Sequence, residues 1–475
     1  MTPSHPSEKV RIVKDRPQAE AAFPRGWMGW LFALSLAFFL VNIHQPGVLN
    51  FDEFGYIPAA KQMLELGVNT NPEHPPLAKM IMALGVAVFG DQPLGWRFMA
   101  AVFGSLTLCG MFALAFAIFR ERKIALWCAL LSLANGLLYV QARIGMLDTF
   151  MTGFMVWGLA AFLFFLKPSR AIPAKRRPVV QSRLLLASGV CFALATACKW
   201  YAVVPWGGCL ALALWDVIKG RIQDRTQGLS QGSGGEALVE PLWGFQDGRG
   251  AWIGDWNGVL RGLWSWFWRF GLVPLGIYFA TFSIYFFMPR GNPVLGVPWD
   301  ILRFHKTMWE AQRSVVSPHP YMSSWKAWPL LHRPIWYAFD KVSEHKFRGV
   351  VMLGNPLVMW GGVAAMAVCA WGAIKSRAAY WITGLYLVLY GSWVIIPRKL
   401  AFYYYYYPAG LMLGLALAWV FLRLEAKVNK PWSPWLKWMF LGAALLLFAF
   451  FFPIYAAVEM PLGALKCWMW SSRWI

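Results

Sequence analysis

Acidic side chains are scarce in this sequence: 22 Asp and Glu among 475 residues, against 44 Lys and Arg. Charged residues of either sign reach only 14%, while apolar residues make up 58% and aromatics 17%. So little charge excludes a disordered chain, and so much apolar surface excludes an ordinary soluble domain. Metal-ligand spacing is missing as well. Cys109, Cys128, Cys191, Cys198, Cys209 and Cys369 fall in apolar segments, Cys467 alone lies in an expected aqueous tail, and no CxxC or Cys/His pattern occurs. Neither a disulfide framework nor a metal is expected, and no cofactor is required. No basic stripe is interleaved with stacking aromatics, so nucleic acid is not an expected partner. The first apolar segment lacks a small-x-small cleavage site and reads as a retained anchor.

What the chain does contain is apolar runs of roughly 20 residues, the length that crosses a bilayer as a helix. Eleven spans are expected, at 27–46, 93–119, 124–141, 147–166, 184–199, 201–218, 269–288, 350–374, 379–396, 401–421 and 437–458. The fold class is therefore an all-α polytopic membrane protein with exterior-facing interfacial helices. A cytoplasmic arm (1–26) precedes the transmembrane domain (27–458), and an exterior tail (459–475) follows it. Within the domain lie exterior loops at 47–92 and 289–349, and a Gly/Ser-rich cytoplasmic insert at 219–268 that contains QGLSQGSGG. In the first loop, YIPAAKQMLELG and PPLAKMIMALGVAVFG both carry helix-compatible patterning. The second is short for a span and resembles an interfacial helix.

Lys and Arg accumulate in cytoplasmic loops. One side of this arrangement holds 26 of the 44, and nine of the 18 on the other side belong to the single long segment 289–349. The N-terminus is then cytoplasmic, and the stretch FDEFGYIPAA at 51–60 faces the periplasm or exterior.

That stretch opens with two adjacent acids, Asp52 and Glu53, in a chain poor in acids. On the same membrane face lie His74 and Lys79 in HPPLAK, Arg97, Arg143 and Asp148 in RIGMLDTFM, Lys199 in CKWYA, and Arg398 and Lys399 before AFYYYYYPAG. Each has a structural reading. Adjacent acids cap helices, span-end cations snorkel to headgroups, HPP is a rigid turn, and a run of tyrosines forms an aromatic belt. Together on one face they also supply what lipid-linked sugar transfer needs. A carboxylate takes a proton from the attacking hydroxyl, and fixed cations stabilise the departing phosphate. A transporter would place its charges nearer the midplane and often show repeats, and neither pattern is present here.

These motifs resemble, in order, those of the protein O-mannosyltransferases of glycosyltransferase family 39, in the C-type membrane glycosyltransferase superfamily. FDEFGYIPAAKQM, EHPPLAKMIMALG, the Arg of GWRFMAAVFG, RIGMLDTFM, CKWYA, HPYMSSWKAWPLLHRPIWYAFDK (319–341), GNPLVMW (354–360) and RKLAFYYYYYPAG (398–410) carry the likeness. It implies Asp52 as catalytic base, Glu53 as its essential neighbour, and Arg97, Lys199, Lys79 and His74 as donor-phosphate contacts. Secondary candidates are Arg143, Asp148, Arg398, Lys399, His319 and Arg333. Ala78 stands where the family motif HPPLGK has Gly. The implied donor is polyprenyl-phosphate-mannose, transferred with inversion. The implied acceptor is an exported protein or, as in the related aminoarabinose transferases, a lipid or surface glycan. The loop 289–349 is too short for the soluble β-trefoil domain of the eukaryotic members, so the chain resembles the compact bacterial type, placed in the inner membrane among its lipids. The Asp52 carboxyl is expected to share one cavity with at least two of Lys79, Arg97 and Lys199. Oligomeric state is left open.

Overall fold

The protein, seen in a computed structural model, is described over residues 23–169, 172–228, 262–288, 297, 299–314, 318–396 and 398–474. The expected arm up to residue 22, most of the insert (229–261) and parts of the 289–349 loop lie outside the described residues.

Among the described residues six helices are long and apolar enough to cross a membrane: Pro93–Phe119, Leu147–Leu166, Ala174–Cys198, Gly262–Phe287, Tyr403–Val428 and Trp435–Tyr455. They coincide with six of the eleven expected spans. Of the other five, the one at 201–218 falls in a longer helix, Val203–Gly228, and four are shorter or interrupted. Helix α1 (Arg25–Leu40) has 16 residues. The loop at 47–92 then supplies α2 (Glu53–Leu64) and α3 (Leu77–Phe89), the two helices its patterning predicts. Helix α4 (Pro93–Phe119) starts with Pro at its first turn, where a missing N–H costs nothing.

The span expected at 124–141 is split into α5 (Arg122–Leu133) and α6 (Gly136–Gln141). Asn135 makes the break by accepting from the Leu137 N–H at 3.2 Å, the usual N-cap contact. Gly136 follows because a Cβ there would stand 2.2 Å from the Leu353 carbonyl oxygen. Asn355, fully buried, caps the helix Pro356–Gly372 and donates to the carbonyls of Ala134 and Ala444. The break is thus bonded to two further helices.

Helix α7 (Leu147–Leu166) packs against α4 at Gly110 and Gly153 and against α8 (Arg177–Cys198) at Gly158, small residues that let backbones approach where lipid gives no hydrophobic drive. Helix α9 (Val203–Gly228) continues ten residues into the expected insert. Helix α10 (Gly262–Phe287) likewise begins inside it. The loop at 289–349 carries the amphipathic helix α11 (Asp300–Ser314), which buries Phe304 and Met308.

The all-α expectation meets one addition. Strands β1 (Ile335–Lys341) and β2 (Lys346–Met352) form an antiparallel hairpin, and β3 (Met460–Pro461) pairs on the other edge of β2. IWYAFDK has the β-branched and aromatic content of a strand, and its aromatic density reads equally well as a membrane cover in sequence.

Candidate active site

Glu53 is the anchor of the site. It is fully buried, and each of its oxygens accepts two hydrogen bonds. Arg97 Nε and the Gly145 N–H reach Oε1 at 2.9 and 2.8 Å, while Arg97 Nη2 and the Asn50 N–H reach Oε2, both at 2.9 Å. The same guanidinium donates to the carbonyls of Ile43, Pro46 and Val48. All five of its N–H groups therefore end on protein oxygens. At Arg97, expected as a donor-phosphate contact, the charge is matched by Glu53 and the donors are taken up by the loop entering α2. Removing either member of such a buried pair costs ~3–5 kcal/mol, because the other charge is left uncompensated.

Asp52, next to it, points elsewhere. It occupies the N-cap position of α2, yet its carboxylate makes no capping hydrogen bond. Oδ2 instead accepts from the Tyr56 hydroxyl at 3.2 Å and the Tyr404 hydroxyl at 3.4 Å. Phe51 turns the chain at φ +49°, a conformation strained for a bulky residue. Its ring is held by His319, Tyr337, Phe402 and Tyr404 at centroid distances of 5.3–6.1 Å. Burial pushes the Asp52 carboxyl up to about 6; the Lys199 charge pulls it down and Asp148 pushes it up again.

Lys199 donates to both oxygens of Asp148, at 2.9 and 2.7 Å, and lies 5.1 and 4.8 Å from the Tyr404 and Tyr405 ring centres. The tyrosines at 403–407 are all buried, so they do not form a lipid-facing belt. Arg398 sits 5.3 Å from the Tyr405 ring and donates to Gln312 Oε1 at 2.5 Å. Gln312 in turn donates to the Glu73 carbonyl at 2.8 Å and lies 3.2–3.3 Å from the His74 ring nitrogens. Burial lowers the His74 pKa well below its usual value, helped by the charges of Lys199, Lys79 and Arg398. These three cations thus converge on His74.

Lys79 is engaged within the protein, as Arg97 is. It is fully buried and donates to the Asn71 carbonyl, the Asn71 side-chain oxygen and the His74 carbonyl. All three ammonium protons fold the 71–79 loop, and burial lowers its pKa to about 7. Of the three cations expected around Asp52, the structure brings Lys199 into its field, bonds Arg97 to Glu53 and nearby carbonyls, and bonds Lys79 to Asn71 and the His74 carbonyl.

The secondary candidates divide. Arg143 donates to the carbonyls of Phe39, Val41 and Asn42 and closes the C-terminal end of α1. Asp148 is the partner of Lys199. His319 stacks on Phe51 and Phe402 beside Asp52. Arg333 donates to the Pro320 carbonyl and lines a shallow pocket with Ser323, Ser324, His332 and Arg473. Lys399 is exposed. Sequence reasoning missed Tyr56, Tyr404 as a partner of Asp52, and Gln312. Tyr56 sits one helical turn beyond Asp52, the one signal that pointed to it. Among the described residues no three His, Cys, Asp or Glu side chains gather as a metal site.

Residues 299–474 match a family model described as the C-terminal four-TMM region of protein-O-mannosyltransferase. Residues 73–230 match one described as dolichyl-phosphate-mannose-protein mannosyltransferase. Asp52 and Glu53 lie before both matches. A Mycobacterium tuberculosis (strain CDC 1551 / Oshkosh) protein named polyprenol-phosphate-mannose–protein mannosyltransferase is 26% identical, covering 84% of this chain and 85% of its own. In fold, the chain is similar to the Saccharomyces cerevisiae protein O-mannosyltransferase Pmt1-Pmt2 complex bound to the sugar donor. The TM-score is 0.73 at 15% identity, covering 96% of this chain and 93% of that one. ArnT from Cupriavidus metallidurans in the apo state shares the fold at a TM-score of 0.52 and 15% identity, covering 91% and 74%.

Proposed function

Because the chain belongs to the protein O-mannosyltransferase family, we propose that it transfers mannose from a polyprenyl-phosphate donor to Ser or Thr hydroxyls of exported proteins. The observation that carries this reading is the Asp52 carboxylate: partly buried, with a pKa of about 6, held by two tyrosine hydroxyls and facing the field of Lys199. A carboxylate poised near neutrality is the form a general base needs.

In this reading Asp52 accepts the proton of the acceptor hydroxyl as its oxygen bonds to the anomeric carbon. The bond from that carbon to the phosphate oxygen breaks, its electron pair leaves with the polyprenyl phosphate, and the anomeric configuration inverts. Lys199 and Arg398 stabilise the charge that grows on the phosphate. Glu53 and Arg97 act by position: they fix the start of α2 and hence the Asp52 carboxyl. The site faces the exterior of a bacterial inner membrane, and the lipid tail of the donor stays in hydrocarbon.

The test uses protein reconstituted in lipid, polyprenyl-phosphate-mannose and a Ser/Thr-rich peptide, comparing wild type with Asp52→Asn. Mannosylated peptide from the wild type, with the variant folded but nearly inactive, is the expected result. Donor consumption only when a bacterial lipid extract replaces the peptide would move the acceptor to a lipid.

A further inference from the structure

The cations of this site differ in what balances them. Arg97 is paired with Glu53 and Lys199 with Asp148. Lys79 has neutral hydrogen-bond partners only, but they take up all three of its protons. Arg398 stands apart. Among the described residues it meets no carboxylate: Nε donates to the Leu400 carbonyl and Nη1 to the amide oxygen of Gln312. Its other N–H groups have no partner among the described residues, and its guanidinium is only partly buried.

Gln312 is held from several sides. It lies on α11, one turn beyond the buried Met308, so the packing that docks the helix also presents the amide inward. Earlier in the same helix, His305 bonds through Nε2 to the Tyr278 hydroxyl at 2.7 Å, and that hydroxyl accepts from Trp200 Nε1 at 2.8 Å. Trp200 adjoins Lys199. At its own end Gln312 donates to the Glu73 carbonyl while accepting from Arg398. The amide thus ties the exterior helix to the His74 loop and to Arg398, three segments far apart in sequence.

We propose that Gln312 is a positioning residue that holds Arg398 without neutralising it, so that the guanidinium charge remains available to the phosphate of the lipid donor. A carboxamide suits this role: it presents the same acceptor geometry as a carboxylate but brings no charge. This inference rests on the donor-binding reading above, though not on the identity of the acceptor.

Two substitutions separate the proposal from a purely structural role. Gln312→Glu is isosteric and keeps, even strengthens, the hydrogen bond to Arg398, but it cancels the charge; like Gln312→Ala, it also gives up the donation to the Glu73 carbonyl, so that loss is common to both variants. Gln312→Ala removes the hydrogen bond and leaves the charge uncancelled. If Gln312 serves packing alone, the alanine variant is the more damaged of the two. If it preserves a free charge, the glutamate variant is. The probe is undecaprenyl phosphate binding to the purified full chain in detergent, read as a Kd, alongside the KM for polyprenyl-phosphate-mannose.

The expected result for Gln312→Glu is a Kd raised about tenfold or more, roughly what loss of one charge-assisted phosphate contact gives. Gln312→Ala should fall between it and wild type, and kcat should change less than KM. A glutamate variant that binds as wild type does, or better than the alanine variant, overturns the proposal. Should Gln312→Glu fail to fold, Arg398→Gln takes its place: it must weaken undecaprenyl phosphate binding to a similar degree, and an unchanged Kd overturns the proposal. Failure of the acceptor reading looks different. Wild type would then leave the peptide unmodified while the same order of Kd values persisted.

Discussion

Two neighbouring carboxylates take opposite fates here, and each fate is testable one residue at a time. Glu53 is locked by four hydrogen bonds, whereas Asp52 is left to two phenols and a distant lysine. With Asp52 as the base, transfer needs its carboxyl ionised. The rate should therefore fall about tenfold per pH unit below the carboxyl's pKa of about 6. Replacing Tyr404 by Phe removes a hydrogen bond that lowers that pKa, so the acidic limb should move to higher pH. A limb that stays in place in Tyr404→Phe, or survives at equal rate in Asp52→Asn, would assign the titration to another group. Arg97→Lys is not conservative, since one ammonium cannot serve both Glu53 oxygens and three carbonyls. It should lower the melting temperature, reflecting up to ~3–5 kcal/mol, while donor KM in the surviving protein stays near wild type. A raised KM with unchanged melting would restore Arg97 as a phosphate contact. The sequence shows that these charges share a face, but not which cation each acid takes. Glu53 and Arg97 stand 44 residues apart and Asp148 and Lys199 51 apart, and either arginine or lysine could have faced either acid until the helices were packed.

Helices place these side chains, and their packing is set by residues with almost no side chain. A Cβ on Gly104 of α4 would stand 2.3 Å from the Ala142 Cβ and 3.1 Å from its Cα. Ala142 begins the short link to Gly145, whose N–H holds Glu53. Gly104→Ala should therefore cost about 1–3 kcal/mol, as overpacking usually does, and should lower kcat as well by moving that N–H. Gly442, on the helix Trp435–Tyr455, serves as the control, since a Cβ added there would meet nothing within 4 Å. Gly442→Ala should leave melting and turnover at or slightly above wild type. Equal loss in both variants would point to a general intolerance of side chains and not to the α4 crossing. The long helices and both helices of the 47–92 loop are legible from hydropathy and period, because those features are local. The hairpin of β1 and β2 is not: its third strand comes from the tail, over 100 residues later, and nothing near it in sequence announces the partner. Gln312 escapes notice for a similar reason. On an amphipathic helix one more inward glutamine looks like any polar residue until Arg398 and His74 arrive from 86 and 238 residues away.

Taken whole, the chain gathers its loops at two ends. At one, Asn42 donates to the Ala456 carbonyl, Arg348 donates to Gln45 and pairs with Glu459, β3 closes on β2, and Trp474 reaches the Leu331 carbonyl. Asp52 belongs to this end. At the other, Arg120 bonds to Lys167, Arg377 to Asp216 and Lys437 to Glu425. Helix α4 joins the two over 27 residues, about 40 Å at 1.5 Å per residue, more than the ~30 Å of a hydrocarbon core. The surplus of Lys and Arg in the short loops of the second end argues that it is cytoplasmic. Cys467 tests this directly. It lies in the tail of the Asp52 end and is exposed, whereas Cys109, Cys128, Cys198, Cys209 and Cys369 are buried and Cys191 is half-buried within α8. An impermeant maleimide added to intact spheroplasts expressing the chain should label one site, and Cys467→Ser should abolish the label. Labelling that requires permeabilised membranes would place Asp52 in the cytoplasm, where hydroxyls of exported proteins are no longer the substrates it meets. Labelling from outside would instead require the donor to be presented in the outer leaflet and the acceptor to have crossed the membrane first, so transfer should cease when export of the acceptor is blocked.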